Sequence, residues 1–180
     1  MTPHDDRREP TYDVVARTLH WLAAILIAAQ FILGWTMPDV HRDTQPAGLI
    51  AWHLAVGATL VLVVLLRVLW RCTHPAPPHT AITPVLRRLA GTTHALLYVL
   101  LVVVPLLGWA NASSRGWAVR AFGLLHLPTL APIGSRIGHA MGDIHSTLAW
   151  VLLVAIGLHI GAALLHHFVL KDRVLHRMLP

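Results

Sequence analysis

Apolar positions dominate this chain in four long runs, separated by stretches of polar, proline and glycine residues. The runs cover about residues 17–37, 49–70, 92–112 and 144–169, and each is rich in Leu, Ala and Val without the period-two alternation of a half-buried strand. About 20 helical residues cross a hydrocarbon layer of roughly 30 Å. Each run therefore predicts a transmembrane helix, which satisfies its backbone groups internally, and a barrel of short strands fits poorly. The breaks fall at "MPDVHRDTQP", "RCTHPAPPHTAITP" and a longer connection at 113–142. An all-α, integral membrane four-helix bundle is expected, one domain over 1–180, with both termini on the same side of the bilayer.

Composition agrees: 56% of the 180 residues are hydrophobic and 12% charged, outside the range of ordinary soluble domains. A cleaved signal peptide does not account for this, because apolar runs recur along the whole length and the first follows a polar segment containing "HDDRREP". The net charge of +6 reads as topology rather than nucleic-acid binding. Arg7, Arg8, Arg17, Arg67, Arg71, Arg87, Arg88, Lys171, Arg173 and Arg177 fall on the side of the termini. Arg42, Arg115, Arg120 and Arg136 fall on the other. Ten cations against four place both termini in the cytoplasm.

Histidines stand out among the polar residues these runs retain. His20 lies near the cytoplasmic end of the first span and His53 near the outer end of the second. In the fourth, His145 is near the outer end and His159 follows 14 residues later. That is a rise of about 21 Å and nearly four turns, so the two share a helix face at two depths. Two level pairs result, His20 with His159 and His53 with His145. Such pairs could each hold a six-coordinate haem between neutral imidazoles. Gly57, Gly157, Gly161 and the alanines at 155, 162 and 163 would leave room for the ring. A proton or metal-ion pathway and purely structural histidines are the other readings. The ion pathway is weakened because no acidic residue lies deep in a span. Cys72 stands alone, so no CxxCH motif exists and any haem must be held by axial ligands.

"RTLHWLAA", "WHLAVG", "RVLWRCTHPAPP", "THALLYVLLVVVPLLGW" and above all "GLHIGAALLHHFVLKD…LHRMLP" resemble the bacterial cytochrome b561 family from about residue 12 to the C-terminus. The resemblance implies a bacterial inner-membrane cytochrome with two b haems, whose four axial ligands map onto His20, His53, His145 and His159. Members of that family include a superoxide oxidase that passes electrons from the periplasmic side to ubiquinone. Others are membrane subunits of periplasmic redox enzymes such as hydrogenases. For this chain the expectation is a superoxide:ubiquinone oxidoreductase working in the lipid bilayer without nucleic acid. A haem-bearing subunit and a histidine-lined ion transporter are the alternatives.

Beyond the ligands, His94 and His166 are candidates for quinone or propionate contacts, with His167 a weaker one. Arg115, Arg120 and Arg136 could steer an anion or serve as ordinary loop charges. Trp117, Phe122, Leu124 and Leu125 predict a short helix lying at the outer interface, with His126 and His139 in solvent or among headgroups. Arg17, Arg67, Arg87 and Arg88 read as propionate or headgroup partners. Trp21, Trp35, Trp52, Trp70 and Trp109 form an aromatic belt near the span ends.

Overall fold

The computed structural model describes residues 11–41, 43–75, 83–172 and 174–179. Arg7, Arg8, Arg42 and Arg173 of the charge count, and most of "HPAPPHTAITP", lie outside the described residues. Four long helices form: α1 Val14–Thr36, α2 Gly48–Thr73, α3 Pro84–Ser114 and α4 Arg136–Leu165. All four are long and apolar enough to cross a membrane.

Caps set where they begin. The Asp13 carboxylate accepts from the Ala16 amide, a hydrogen bond that holds this exposed acid below the ordinary carboxylate range. Thr83 caps α3 with Pro84 in its first turn, and Ser135 caps α4 through the Gly138 amide. These signals start α3 and α4 about eight residues before the apolar runs do, so both helices project past the hydrocarbon layer.

Packing relies on small and branched residues, as expected where lipid replaces water and close contact replaces the hydrophobic effect. Ala23 of α1 meets Leu60, Val63 and Val64 of α2. Leu100 and Val104 of α3 meet Leu152 and Ala155 of α4. α1 thus pairs with α2 and α3 with α4, while α2 joins the two pairs through α3. Large exposed side chains such as Ile25, Leu66, Val99 and Val154 face outward, where acyl chains belong.

The chain ends meet at one end of the bundle, here the terminal end. After Leu165, α4 widens into a π-helical segment, His166–Leu170, closed by Lys171 in the left-handed region at φ 51°. The chain then returns to α1: the Tyr12 amide donates to the Arg177 carbonyl (3.3 Å), Arg17 Nη1 to Leu179 O and Trp21 Nε1 to Met178 O (both 2.8 Å).

The opposite, loop end departs from expectation. The segment expected to form an interfacial helix is instead a short antiparallel hairpin, β1 Arg120–Ala121 and β2 Leu125–His126. Its turn needs two positive φ angles, supplied by Phe122 (53°) and Gly123 (71°), and the Leu124 amide closes it on the Ala121 carbonyl. A hydrogen bond from the Phe122 amide to Thr59 Oγ1 (2.9 Å) fixes that turn to α2. Buried Val119 and Ala121 pack with Ala58 and Ala112, whereas Leu124 is 83% exposed. A run of apolar residues without helical period is therefore divided between the bundle and the lipid side.

α4 enters the bundle against α3 at Gly138, where a Cβ would lie 2.5 Å from Ser114 Cβ and 3.1 Å from Ala131 Cβ. Around it Asn111 Nδ2 donates to the Gly138 and His139 carbonyls, and His139 Nδ1 meets Ser114 Oγ at 2.7 Å. Gly138→Ala is expected to destabilise the detergent-solubilised protein by about 1–3 kcal/mol, since neither neighbouring Cβ can swing away. A thermal melt showing no change would refute this close approach.

Candidate functional site

The four sequence-predicted histidines form two levels. His53 of α2 and His145 of α4 have ring centroids 6.0 Å apart, nearly perpendicular at 86°. His20 of α1 and His159 of α4 are 6.5 Å apart at 71°. Two imidazoles binding nitrogen-first on opposite sides of one metal ion, each at roughly 2 Å, have centroids about 6 Å apart. Both pairs match that spacing.

At the loop end, His53 and His145 line a cavity of about 250 Å³ bounded by all four long helices. Its walls include Phe31, Leu101 and Leu152, an apolar lining suited to a flat ring. His145 Nδ1 lies 2.8 Å from the Val104 carbonyl. A carbonyl only accepts, so Nδ1 carries the proton and Nε2 keeps its lone pair for a metal. A Cβ on Gly108 would come within 3.0 Å of this ring, so the glycine lets α3 hold His145 closely. The His53 ring is buried against α1, where its hydrogen-bond partner is the Gln30 backbone.

At the terminal end, His159 has a second imidazole neighbour, His94 of α3, with centroids 5.2 Å apart. That is short for two ligands on opposite sides of one ion, which favours His20 as the opposing ligand and leaves His94 beside the site. Arg67 of α2 reaches into this level. Its Nε donates to Tyr98 Oη and its Nη1 to the Ala16 carbonyl (both 3.1 Å), tying α2 to α3 and α1. Arg67 thus has protein partners where the sequence suggested a propionate or headgroup.

His166 is apart from both pairs, in the π segment, with Nδ1 against the Asp172 carboxylate and Nε2 left over. His167 packs on His176 at 5.2 Å. Arg115 is engaged by Asn111 Oδ1 (3.1 Å), the His41 carbonyl (3.0 Å) and the Trp117 ring, so it braces the loop end. Arg120 bonds His126 Nε2 across the hairpin (2.9 Å) and stays exposed, as does Arg136.

Sequence reasoning missed three participants. Asp172 and Tyr98 carry no signal apart from their partners. Gln30, the sole amide in its span, was visible as an intramembrane polar residue. It occupies the space beside Gly57 that the sequence analysis leaves for a ring: a Cβ on Gly57 would lie 2.5 Å from Gln30 Nε2. By contrast, Gly157 and Gly161 have nothing within 4 Å of their Cβ positions and leave the α4 surface open near His159.

Among the described residues no three His, Cys, Asp or Glu side chains converge on one ion, so the donor set consists of paired imidazoles. That set, with its apolar walls, fits a haem held by axial ligands.

Comparison with known proteins agrees. The profile of the prokaryotic cytochrome b561 family matches residues 11–180. The chain is 34% identical to cytochrome b561 homolog 2 of Escherichia coli K12, over 93% of this chain and 90% of that one. It is 31% identical to the probable superoxide oxidase CybB of Yersinia pestis (94% and 96% covered) and 30% identical to cytochrome b562 of Cereibacter sphaeroides (96% and 97%). With four membrane-spanning helices and this match over nearly its whole length, the chain belongs to the prokaryotic cytochrome b561 family, as a bacterial membrane electron-transfer protein that binds b-type haem.

Proposed function

We propose that the protein is a dihaem superoxide:ubiquinone oxidoreductase of the bacterial inner membrane, with both termini in the cytoplasm. The observation that carries this reading is the stacking of two imidazole pairs at two levels along α4. Each bound b haem supplies a one-electron iron couple. His53 and His145 hold the outer one and His20 and His159 the inner one, each through a neutral ring nitrogen. Buried Leu152 and Ala155 of α4 lie between the two levels.

The charge asymmetry of the sequence supports a periplasmic loop end, where exposed Arg120 and Arg136 would attract an anion. Each superoxide gives up one electron and leaves as dioxygen. Two electrons and two cytoplasmic protons convert one ubiquinone to ubiquinol. At the terminal end, Asp172 orients His166 through Nδ1, leaving Nε2 to hydrogen-bond a quinone or quinol oxygen. His94, beside His159, would be a candidate to bond a haem propionate instead. The name of the Yersinia pestis relative supports superoxide as donor.

Purified protein should contain two b haems per chain by pyridine haemochrome. Enzymatically generated superoxide should reduce them and a soluble ubiquinone analogue reoxidise them. Haems indifferent to superoxide but reduced by quinol would replace this reading with that of a quinone-linked subunit serving a periplasmic redox enzyme. A protein isolated without haem would revive the histidine-lined ion transporter.

A further inference from the structure

The cavity between His53 and His145 is closed unevenly. Toward α2, the Gln30 amide of α1 donates to the His53 carbonyl at 2.9 Å. Toward α3, the Val104 carbonyl accepts from His145 Nδ1 at 2.8 Å. Between α2 and α3, Ala58 meets Ala112. At the loop end buried Val119 covers the cavity, the hairpin turn is fixed to Thr59, and Trp109 Nε1 donates to the Pro128 carbonyl at 3.0 Å. Toward the terminal end, Leu152 and Ala155 pack on Leu100 and Val104, and Ile27 and Phe31 of α1 reach the same cluster.

The seam between α1 and α4 is built differently. α1 packs on α2 and α4 on α3, and the two hardly pack on one another. What crosses the seam at the level of the cavity is a pair of indoles, Trp35 of α1 and Trp150 of α4, with ring centroids 6.2 Å apart and planes tilted by 32°. Phe31 extends the row, 5.6 Å from Trp35. Both tryptophans line the cavity and both are 60% exposed. On this side, then, a single layer of rings separates the cavity from lipid. Turning those rings breaks no backbone hydrogen bond. Opening another side would part packed helices or break hydrogen bonds that lipid cannot replace.

We propose that the Trp35–Trp150 seam is the doorway through which the outer haem enters from the bilayer. Free b-type haem is a flat apolar ring that dissolves in a membrane, and a seam between two helices admits it edge-first toward His53 and His145. The indoles swing aside for its passage and close behind it. Trp35 and Trp150 thereby set how fast the outer site is filled and emptied. The inference rests on His53 and His145 being axial ligands.

Passage through a doorway is reversible, so the rate of haem loss reports on it, and full-length protein carrying its haems serves for the test. Excess apomyoglobin collects the released haem. From wild-type protein in gel-phase phosphatidylcholine nanodiscs, the outer haem should leave more slowly than from fluid-phase nanodiscs at the same temperature. Equal rates would put the exit at the aqueous loop end and overturn the proposal without any variant. Trp35→Ala with Trp150→Ala should release the outer haem about tenfold faster, the factor that the attraction within one aromatic pair accounts for. An unchanged rate overturns the proposal. Cys72 is exposed, so Cys72→Ser gives a background for Trp35→Cys with Trp150→Cys. Joined by a bismaleimide after haem loading, that protein should lose its outer haem more slowly than the same protein capped with N-ethylmaleimide. The inner haem, followed by electron paramagnetic resonance, should keep its rate in every variant. Slowing of both haems alike would show a tightened bundle and overturn the doorway. His53→Ala tests the underlying ligand assignment separately: retention of both haems would refute that assignment whatever the seam does.

Discussion

Substituting His159 with alanine is expected to remove the inner haem, halving the haem per chain and leaving the outer haem's spectrum unchanged. His159 is the hub of its level, with His20 at 6.5 Å and His94 at 5.2 Å. Without it, neither remaining imidazole has an α4 partner. The outer pair lies 14 residues away along α4, about 21 Å, on separate packing contacts. His20→Ala should be milder, because His94 stays beside His159 and a small rotation could make it a substitute ligand. Pyridine haemochrome counts and low-temperature electron paramagnetic resonance distinguish these outcomes. The double variant His20→Ala with His94→Ala should reproduce the loss seen for His159→Ala. Full haem occupancy in His159→Ala would overturn the assignment of the inner site.

The contrast between these two substitutions marks what the sequence could and could not reveal. Depth along a membrane helix is linear in residue number, so the levels of His20, His53, His145 and His159 were legible from counting alone. Which residue stands beside His159 is a matter of azimuth, set by how α3 packs on α4. His94 was therefore visible only as a residue near a span end. The hairpin at 120–126 was misread for a related reason. Trp117, Phe122, Leu124 and Leu125 were weighed by composition, whereas the fold there is decided by Gly123 and by Thr59, more than 60 residues upstream. Boundaries were missed where caps outrank hydropathy: Thr83 with Pro84 and Ser135 are ordinary start signals outside the apolar runs. Gln30 was missed, although an amide in the middle of an apolar span is a signal that the sequence carries. Its placement depends on the missing Cβ of Gly57, a relation between helices that a single run does not display.

The inner level carries a further consequence of helix packing, because α2 delivers a permanent cation to it. Arg67 is half-buried and held from two sides, by Tyr98 Oη and the Ala16 carbonyl, and its charge bears on His20, His94 and His159. A nearby cation favours the reduced iron. In general, a unit charge about 10 Å from a redox centre at an effective dielectric near 20 is worth about 1.7 kcal/mol, or about 70 mV for one electron. Arg67→Met should therefore lower the inner potential by several tens of millivolts and slow electron transfer from the outer haem. Arg67→Lys keeps the charge but cannot keep both hydrogen bonds, so it should retain most of the potential while losing thermal stability. Redox titration of each haem, read beside a thermal melt, separates electrostatic from structural contributions. Equal shifts in the two variants would show that Arg67 acts by bracing α1, α2 and α3. A shift confined to Arg67→Met would show that its charge holds the inner haem at the higher potential, drawing the electron from the loop end toward the terminal end.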